Sequence, residues 1–339
     1  MTSTQERLGD RRRGPVWARL DSIRRWSSRA PWVGFLGRRI AQGLVVVFGA
    51  VLISFVLVQL SGDPAEVLAR GLLPDAQVRQ LSHQLGYDRP FLVQFLDYFG
   101  RLLHGDLGQS FRYHQSAASL VLQALPNTGV LVVGAMVLAS IVALAASTFS
   151  TLHRETPLDQ LIRRVLIVAQ GLPEYWLGLM LLMVFGAWAR WLPVVGFSSW
   201  SAAILPVVTL AAPIAGVFTR LLRSQLLDQM QSDFVVALRA KGLTEREIVV
   251  RHALPNAMIP FVTYLALQLG WLVGGTIVVE AVFTWPGIGS LALAAVKTRD
   301  LQVIQAVVVV VAVVYVACSL AADLIVAAID PRIRTGRSA

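Results

Sequence analysis

Apolar residues in this chain fall into six long runs separated by short polar stretches. The runs cover approximately Ile40 to Leu60, Pro126 to Ser147, Val165 to Ala189, Ala202 to Arg220, Met258 to Glu280 and Leu301 to Ala328. Each reaches the roughly 20 residues that a helix needs to cross a hydrocarbon core. The pattern predicts an all-α integral membrane protein with six transmembrane helices. Its parts are a basic N-terminal extension (1–36), a first transmembrane helix (37–60), a long outer loop (61–124) and a core of five further spans (125–339). A polar loop at 225–256 interrupts that core.

The outer loop is too long for a simple connection. Within it, Phe91, Phe95, Tyr98, Phe99 and Leu102 recur at helical intervals, which predicts an amphipathic helix there. Gly105 to Gly108 reads as a turn. In the N-terminal extension, Trp17, Leu20 and Ile23 are spaced by three with Arg between them. A solvated basic tail and a helix lying on the anionic inner leaflet both fit that spacing.

Composition agrees with the runs. Only 15% of the 339 residues are charged and 55% are hydrophobic, against about 25% charged in a soluble protein. The formal net charge of +10 does not point to nucleic acid, because no basic segment is interleaved with stacking aromatics in a soluble domain. It follows the loops instead. Residues 1–39, 150–164, 220–252 and 331–339 hold 22 of the 30 Lys and Arg, and the opposite loops hold 8. The positive-inside rule then predicts a multi-pass protein with both termini in the cytoplasm. The single cysteine, Cys318, can make no internal disulfide and no metal cluster. His83, His104 and His114 lie in the outer loop at long, irregular spacings, so no metal site is read there.

The polar loop carries the sharpest punctuation. In "ALRAKGLTEREIVVRHALP" (237–255), a short helix should end at Gly242, the residue suited to the left-handed conformation. Thr244 with Glu247 three residues later is the capping-box spacing. A second helix should then run from Glu245 to about Leu254, where Pro255 interrupts the ladder ahead of the fifth span. An ordinary solvated loop and a rigid protein-docking element are both compatible with this pattern.

The order Ala237, Gly242, nine residues, then His252-Ala-Leu-Pro255 resembles the EAA loop of ABC-importer membrane subunits, with Val236 and Leu238 departing from its Glu and second Ala. Further blocks extend the likeness: "LGYDRPFLVQFLDYFGRLLHGDLGQSF", "GLPEYWLGL", "RAKGLTEREIVVRHALPNAMIP", "LQLGWLVGGTIVVEAVFTWPGIG" and "AAIDPRIR". In that order they resemble the dipeptide/oligopeptide permease family from residue 37 to about 335. The resemblance implies the fold of a type I ABC importer permease in a bacterial plasma membrane. It implies a homologous second permease subunit, two cytoplasmic ATPase domains and an extracytoplasmic peptide-binding protein as partners. It also places Ala237, Arg239, Ala240, Lys241, Gly242, Leu243, Thr244 and Glu245 at the ATPase contact, with Leu254 and Pro255 setting its angle to the fifth span. Nickel-chelate, glutathione and opine importers are close variants of the same machine, and a secondary transporter is a more distant alternative.

The chain is read as having no catalytic residues and no cofactor of its own. Its two lysines, Lys241 and Lys297, follow Ala240 and Val296, and neither fits the G-x-x-x-x-G-K-[ST] phosphate loop. ATP and Mg would be bound by partner subunits.

Intramembrane ionisable residues are functional candidates by default. Glu174, near the middle of the third run after Gly171 and Pro173, reads either as a pathway carboxylate that meets a peptide ammonium or as a protonated or partner-paired group. Gln268 is a polar pathway candidate on the fifth span. Glu280 sits at that span's outer end, where hydration should ease its charge, and reads as a gate or a structural residue. Asp323 is expected to snorkel or to pair with Arg332 or Arg334. Trp188, Trp191 and Trp200 form an interfacial aromatic belt.

Overall fold

The computed structural model describes residues 31–60, 89–193, 196–197 and 199–329, with positions 74, 77, 80 and 83. The readings made for Trp17, Leu20, Ile23, Arg332 and Arg334 lie outside the described residues. Among the described residues the regular elements are all helices, apart from one isolated bridge between Gln109 and Ser116.

Helix α1 spans Pro31–Leu60, α2 Phe91–Leu103, α3 Ala117–Leu152 and α4 Pro157–Gly171. Helix α5 (Glu174–Leu181) continues into a π-helix, Leu182–Trp188. Helix α6 (Ile204–Met230) follows a 3-10 turn, and α7 is Asp233–Ala240. The three-residue turn α8 (Glu245–Glu247) runs through a second π-helix, Ile248–Ala253, into α9 (Leu254–Val282). Helix α10 spans Ile288–Thr298 and α11 Leu301–Ile329. Four helices are long and apolar enough to cross a membrane, and two bent pairs bring the total to six if each pair is one span.

The third expected span is one of those pairs. Helices α4 and α5 meet at 110°, so the run from Val165 to Ala189 is broken at Leu172 and Pro173. Pro173 disfavours the helical conformation at the residue before it, and Leu172 is extended (φ −80°, ψ 132°). Pro157 sits at the first turn of α4, and the Thr156 hydroxyl accepts from the Asp159 amide, which starts the helix cleanly.

The centre of the molecule is the α3–α6 pair, its most extensive helix contact. Ala135, Ala139, Ala143 and Ser147 recur every four residues along α3 and are all fully buried. Lipid tails are as apolar as leucine, so close backbone approach has to hold such helices together, and small side chains permit it. Thr209 and Thr219 of α6 are buried and donate to the carbonyls of Leu205 and Ala215 one turn back, which satisfies these two hydroxyls in an apolar setting.

The outer-loop helix forms where its periodicity predicts. Phe95 and Tyr98 of α2 are buried against Phe55 of α1, with ring centroids 5.4 and 5.6 Å apart. Helix α10, at 11 residues, rises about 16 Å and is too short to span. It is tied to the outer loop where Ser110 donates to Asp300 at 2.5 Å. Asp323 of α11 pairs with Arg39 of α1 at 2.9 Å, so its counter-ion comes from the first helix.

Candidate functional site

The polar loop is a built corner. The chain turns at Gly242, whose φ is +85°, a conformation that costs other L-residues about 1–2 kcal/mol. The Gly242 amide donates to Arg239 O at 2.9 Å and the Leu243 amide to Leu238 O at 3.3 Å, which satisfies the last carbonyls of α7. The capping box is present in both directions. The Thr244 amide donates to Glu247 Oε2 at 3.0 Å, and the Glu247 amide to Thr244 Oγ1 at 3.4 Å. Across the turn, Arg239 donates to both oxygens of Glu245, at 2.6 and 3.2 Å.

These contacts set the local charge. The Arg239 guanidinium, hydrogen-bonded to Glu245, holds that carboxyl below its usual range against the opposing effect of partial burial. The Thr244 amide and hydroxyl do the same for Glu247.

Ala237, Arg239, Ala240, Lys241, Gly242, Thr244 and Glu245 all come together on the exposed surface of this corner. Leu243 and Leu254 turn inward and pack on the central core, beside buried Val235, Ile248 and Val249. Exposed Phe234, Val236 and Val250 add an apolar component that the sequence reading did not single out. The apolar run Phe234-Val235-Val236 inside a polar loop was the signal available for it.

Pro255 removes one amide from the ladder but does not end the helix. It is exposed and lies in the first turn of α9, directly after the π-helix. The corner is therefore continuous in backbone with the fifth span. That span bends by 65° between its Glu245–Gly270 and Gly274–Val282 segments.

The three pathway candidates sit in different surroundings. Glu174 is half-buried at the first position of α5 and makes no hydrogen bond or ion pair among the described residues. Gln268 is half-buried on α9, on the N-terminal side of the bend that separates it from Glu280. Glu280 is 0% exposed, so the expectation of a hydrated carboxylate is corrected. It accepts hydrogen bonds from the hydroxyls of Thr128 and Thr276 and the amide of Ser290, at 2.7, 3.1 and 3.0 Å. The chain's own donors replace water around it.

One charged cluster escaped the sequence reading. Asp159 Oδ2 on α4 lies 3.1 Å from Arg163 and 3.6 Å from Arg223 of α6, and it accepts from the Glu155 amide at 3.2 Å. The i,i+4 spacing of Asp159 and Arg163 was legible, whereas Arg223 is 64 positions away from Asp159.

Spanning helices, bent pairs and an exposed capped corner fused to a span are the architecture of a multi-pass membrane protein. The chain belongs to the family described as "Binding-protein-dependent transport system inner membrane component", which matches residues 135–335, and is a permease subunit of an ABC importer. Among its relatives is the glutathione transport system permease protein GsiC of Escherichia coli strain CFT073. It is 39% identical over 286 residues, which cover 84% of this chain and 93% of that protein. GsiC of Escherichia coli K12 and of Shigella flexneri serotype 5b are each 38% identical over the same coverage. A solved structure, an inward-facing conformation of the MetNI methionine ABC transporter, shares the fold with a TM-score of 0.54. It is 19% identical and covers 62% of this chain and 96% of that one.

Proposed function

We propose that this chain is one half of the translocation pathway of an ATP-driven importer of small peptides. It works with a homologous second permease subunit, two ATPase domains that bind ATP and Mg, and an extracytoplasmic binding protein that delivers cargo. Both termini and the 237–255 corner face the cytoplasm, as the distribution of Lys and Arg supports. The corner seats on the ATPases, and its residues 237–245 carry the contact.

The observation that carries this reading is the unbroken path from the capping box through the π-helix into α9. A load applied at Thr244 reaches the fifth span without crossing a flexible linker, which suits a part that must move as a body. π-Helical turns are frequent at functional sites. The 39% identity to a glutathione permease makes glutathione, itself a tripeptide, the first cargo to test.

The test is uptake of labelled glutathione and of a dipeptide into proteoliposomes holding the full complex, with binding protein outside. ATP-dependent accumulation of either supports the peptide reading. Uptake that needs a proton or sodium gradient and ignores ATP overturns the importer.

A further inference from the structure

A cavity of about 300 Å³ opens between α4 and α6, beside the Asp159 cluster. We infer that it binds a phosphate-bearing anion at the membrane–water boundary, of the kind carried by an acidic phospholipid headgroup. The inference rests on the cytoplasmic orientation proposed above, which places this end of α6 at the inner leaflet.

Charge is the first argument. Three guanidiniums line the cavity, those of Arg163, Arg220 and Arg223, and the adjoining carboxylate is Asp159. Three cations against one anion leave an excess of two. Asp159 engages Arg163 and Arg223 through their Nη2 atoms. Their Nε atoms are buried without a hydrogen-bond partner. Arg220 is exposed and has no carboxylate partner among the described residues. Buried polar groups are normally satisfied, and a guanidinium prefers the paired oxygens of a carboxylate or phosphate. Asp159 Oδ1 is likewise buried without a partner, so what the site has in excess is positive charge, two guanidiniums beyond its one carboxylate.

The shape of the lining is the second argument. Leu166, Ile167 and Leu227 give the wall an apolar part beside the polar Gln170, Thr219 and Ser224, and Ile167 is largely exposed. A small inorganic anion has no use for an apolar wall, whereas a phosphodiester that carries acyl chains does. The volume lies at the lower end of ligand pockets, suited to a headgroup with its tails outside along α4. Basic pockets between spans on the cytoplasmic side are a recognised setting for acidic headgroups.

The test uses the whole complex in nanodiscs of phosphatidylcholine alone, of phosphatidylcholine with phosphatidylglycerol, or of phosphatidylcholine with inorganic phosphate in the buffer. Thermal unfolding and lipid retention by native mass spectrometry are read. Stabilisation and retained phosphatidylglycerol, with no effect of inorganic phosphate, establish a lipid site. Equal stabilisation by inorganic phosphate establishes the same chemistry with a soluble ligand. Arg220→Gln, which leaves the Asp159 pairs intact, should weaken phosphatidylglycerol retention about fivefold, the worth of one basic residue at an anionic surface, and Arg220→Lys should restore it. Ser224→Glu puts a carboxylate in the cavity and should abolish retention. Indifference of the wild type to both anions, or retention unchanged in Arg220→Gln and Ser224→Glu alike, overturns the site. Binding-protein-stimulated ATP hydrolysis in phosphatidylcholine discs tests the importer reading separately.

Discussion

Thr128 Oγ1 donates to Glu280 Oε1 at 2.7 Å, and the same hydroxyl oxygen accepts from the Ile288 amide at 2.9 Å. One side chain of α3 thus joins the buried carboxylate of α9 to the first turn of α10. The other carboxylate oxygen accepts from the Ser290 amide, so Glu280 sits at the N-terminus of α10, where unpaired amides favour an anion. The carboxylate fills the space where the neighbouring glycines would carry side chains. A Cβ on Gly287 would lie 2.5 Å from the Glu280 carboxyl carbon, and one on Gly289 would lie 2.6 Å from Ile277 Cα. The adjacent Trp285 indole donates to Asn127 O at 2.9 Å. This outer corner is held to α3 at two successive residues.

Replacing Thr128 with Val keeps its volume and removes the relay. The Ile288 amide loses its acceptor and Glu280 loses a donor inside a dry site. The expected loss is about 1–3 kcal/mol, read as a lower midpoint in thermal unfolding of the purified complex. Thr128→Ser keeps the hydroxyl and should recover most of it. Equal midpoints for Thr128→Val and the wild type would show that the relay does not hold the corner.

Gly242→Val tests the inner corner. The substitution forces a β-branched residue to φ +85° at an exposed turn, with a local cost of about 1–2 kcal/mol. The spans do not depend on this turn, so membrane insertion and yield should match the wild type. ATP hydrolysis stimulated by the binding protein should fall, and ATPase subunits should co-purify poorly. Full stimulation in Gly242→Val would remove the corner from the coupling path.

The parts legible in the sequence were those governed by local chemistry. The Thr244–Glu247 box, the Gly242 turn and the α2 stripe are each set by residues within a few positions of one another. The extended Leu172 before Pro173 was legible in kind, since proline constrains its predecessor, but the 110° angle depends on what α4 and α5 pack against. Pro255 marked the missing amide, but not that the helix continues past it out of the π-turn. Glu280 was misread because hydropathy gives depth along a span and not direction around it. The partners that bury it, Thr128 and Ser290, come from other helices.

Gly216 marks the close approach of α4 to α6. A Cβ there would lie 2.4 Å from Gln170 Nε2 and 2.7 Å from the Leu166 carbonyl oxygen. The glutamine can swing away and the backbone oxygen cannot. Gly216→Ala should therefore cost about 1–3 kcal/mol by overpacking, and adding Gln170→Ala should recover only a minor part. Complete rescue by the second change would mean that α4 shifts freely on α6.

Acid should loosen the inner corner before it unfolds the spans. Glu245 and Glu247 are held below the ordinary Glu value, the first by the Arg239 fork and the second by the Thr244 amide and hydroxyl. A depressed carboxyl stabilises the folded form at pH above its unfolded value, about 4.3, and that contribution disappears as pH falls through the folded value. Amide protection of residues 244–248, corrected for intrinsic exchange, should be flat from neutral pH to about 5 and should drop below about 4.3. In Glu247→Gln the drop should shrink. An unchanged profile in that variant would assign the acid sensitivity elsewhere.

Glu174 separates a cargo contact from a structural charge. It stands half-buried at the break between α4 and α5 without an internal partner among the described residues, and a carboxylate in that position is available to a peptide's ammonium group. Glu174→Gln keeps the shape and removes the charge. A lost charge-assisted hydrogen bond, ~1.5 kcal/mol or more, corresponds to transport of a free-amine dipeptide reduced about tenfold. An N-acetylated dipeptide, which has no ammonium, should be carried equally by both forms if the binding protein delivers it. Thermal unfolding should move little, within the ~0.5 kcal/mol usual for a substitution that breaks no internal contact. Transport of the free-amine peptide at the wild-type rate would show that cargo does not meet this carboxylate, and an equal loss for both peptides would assign it to the moving frame.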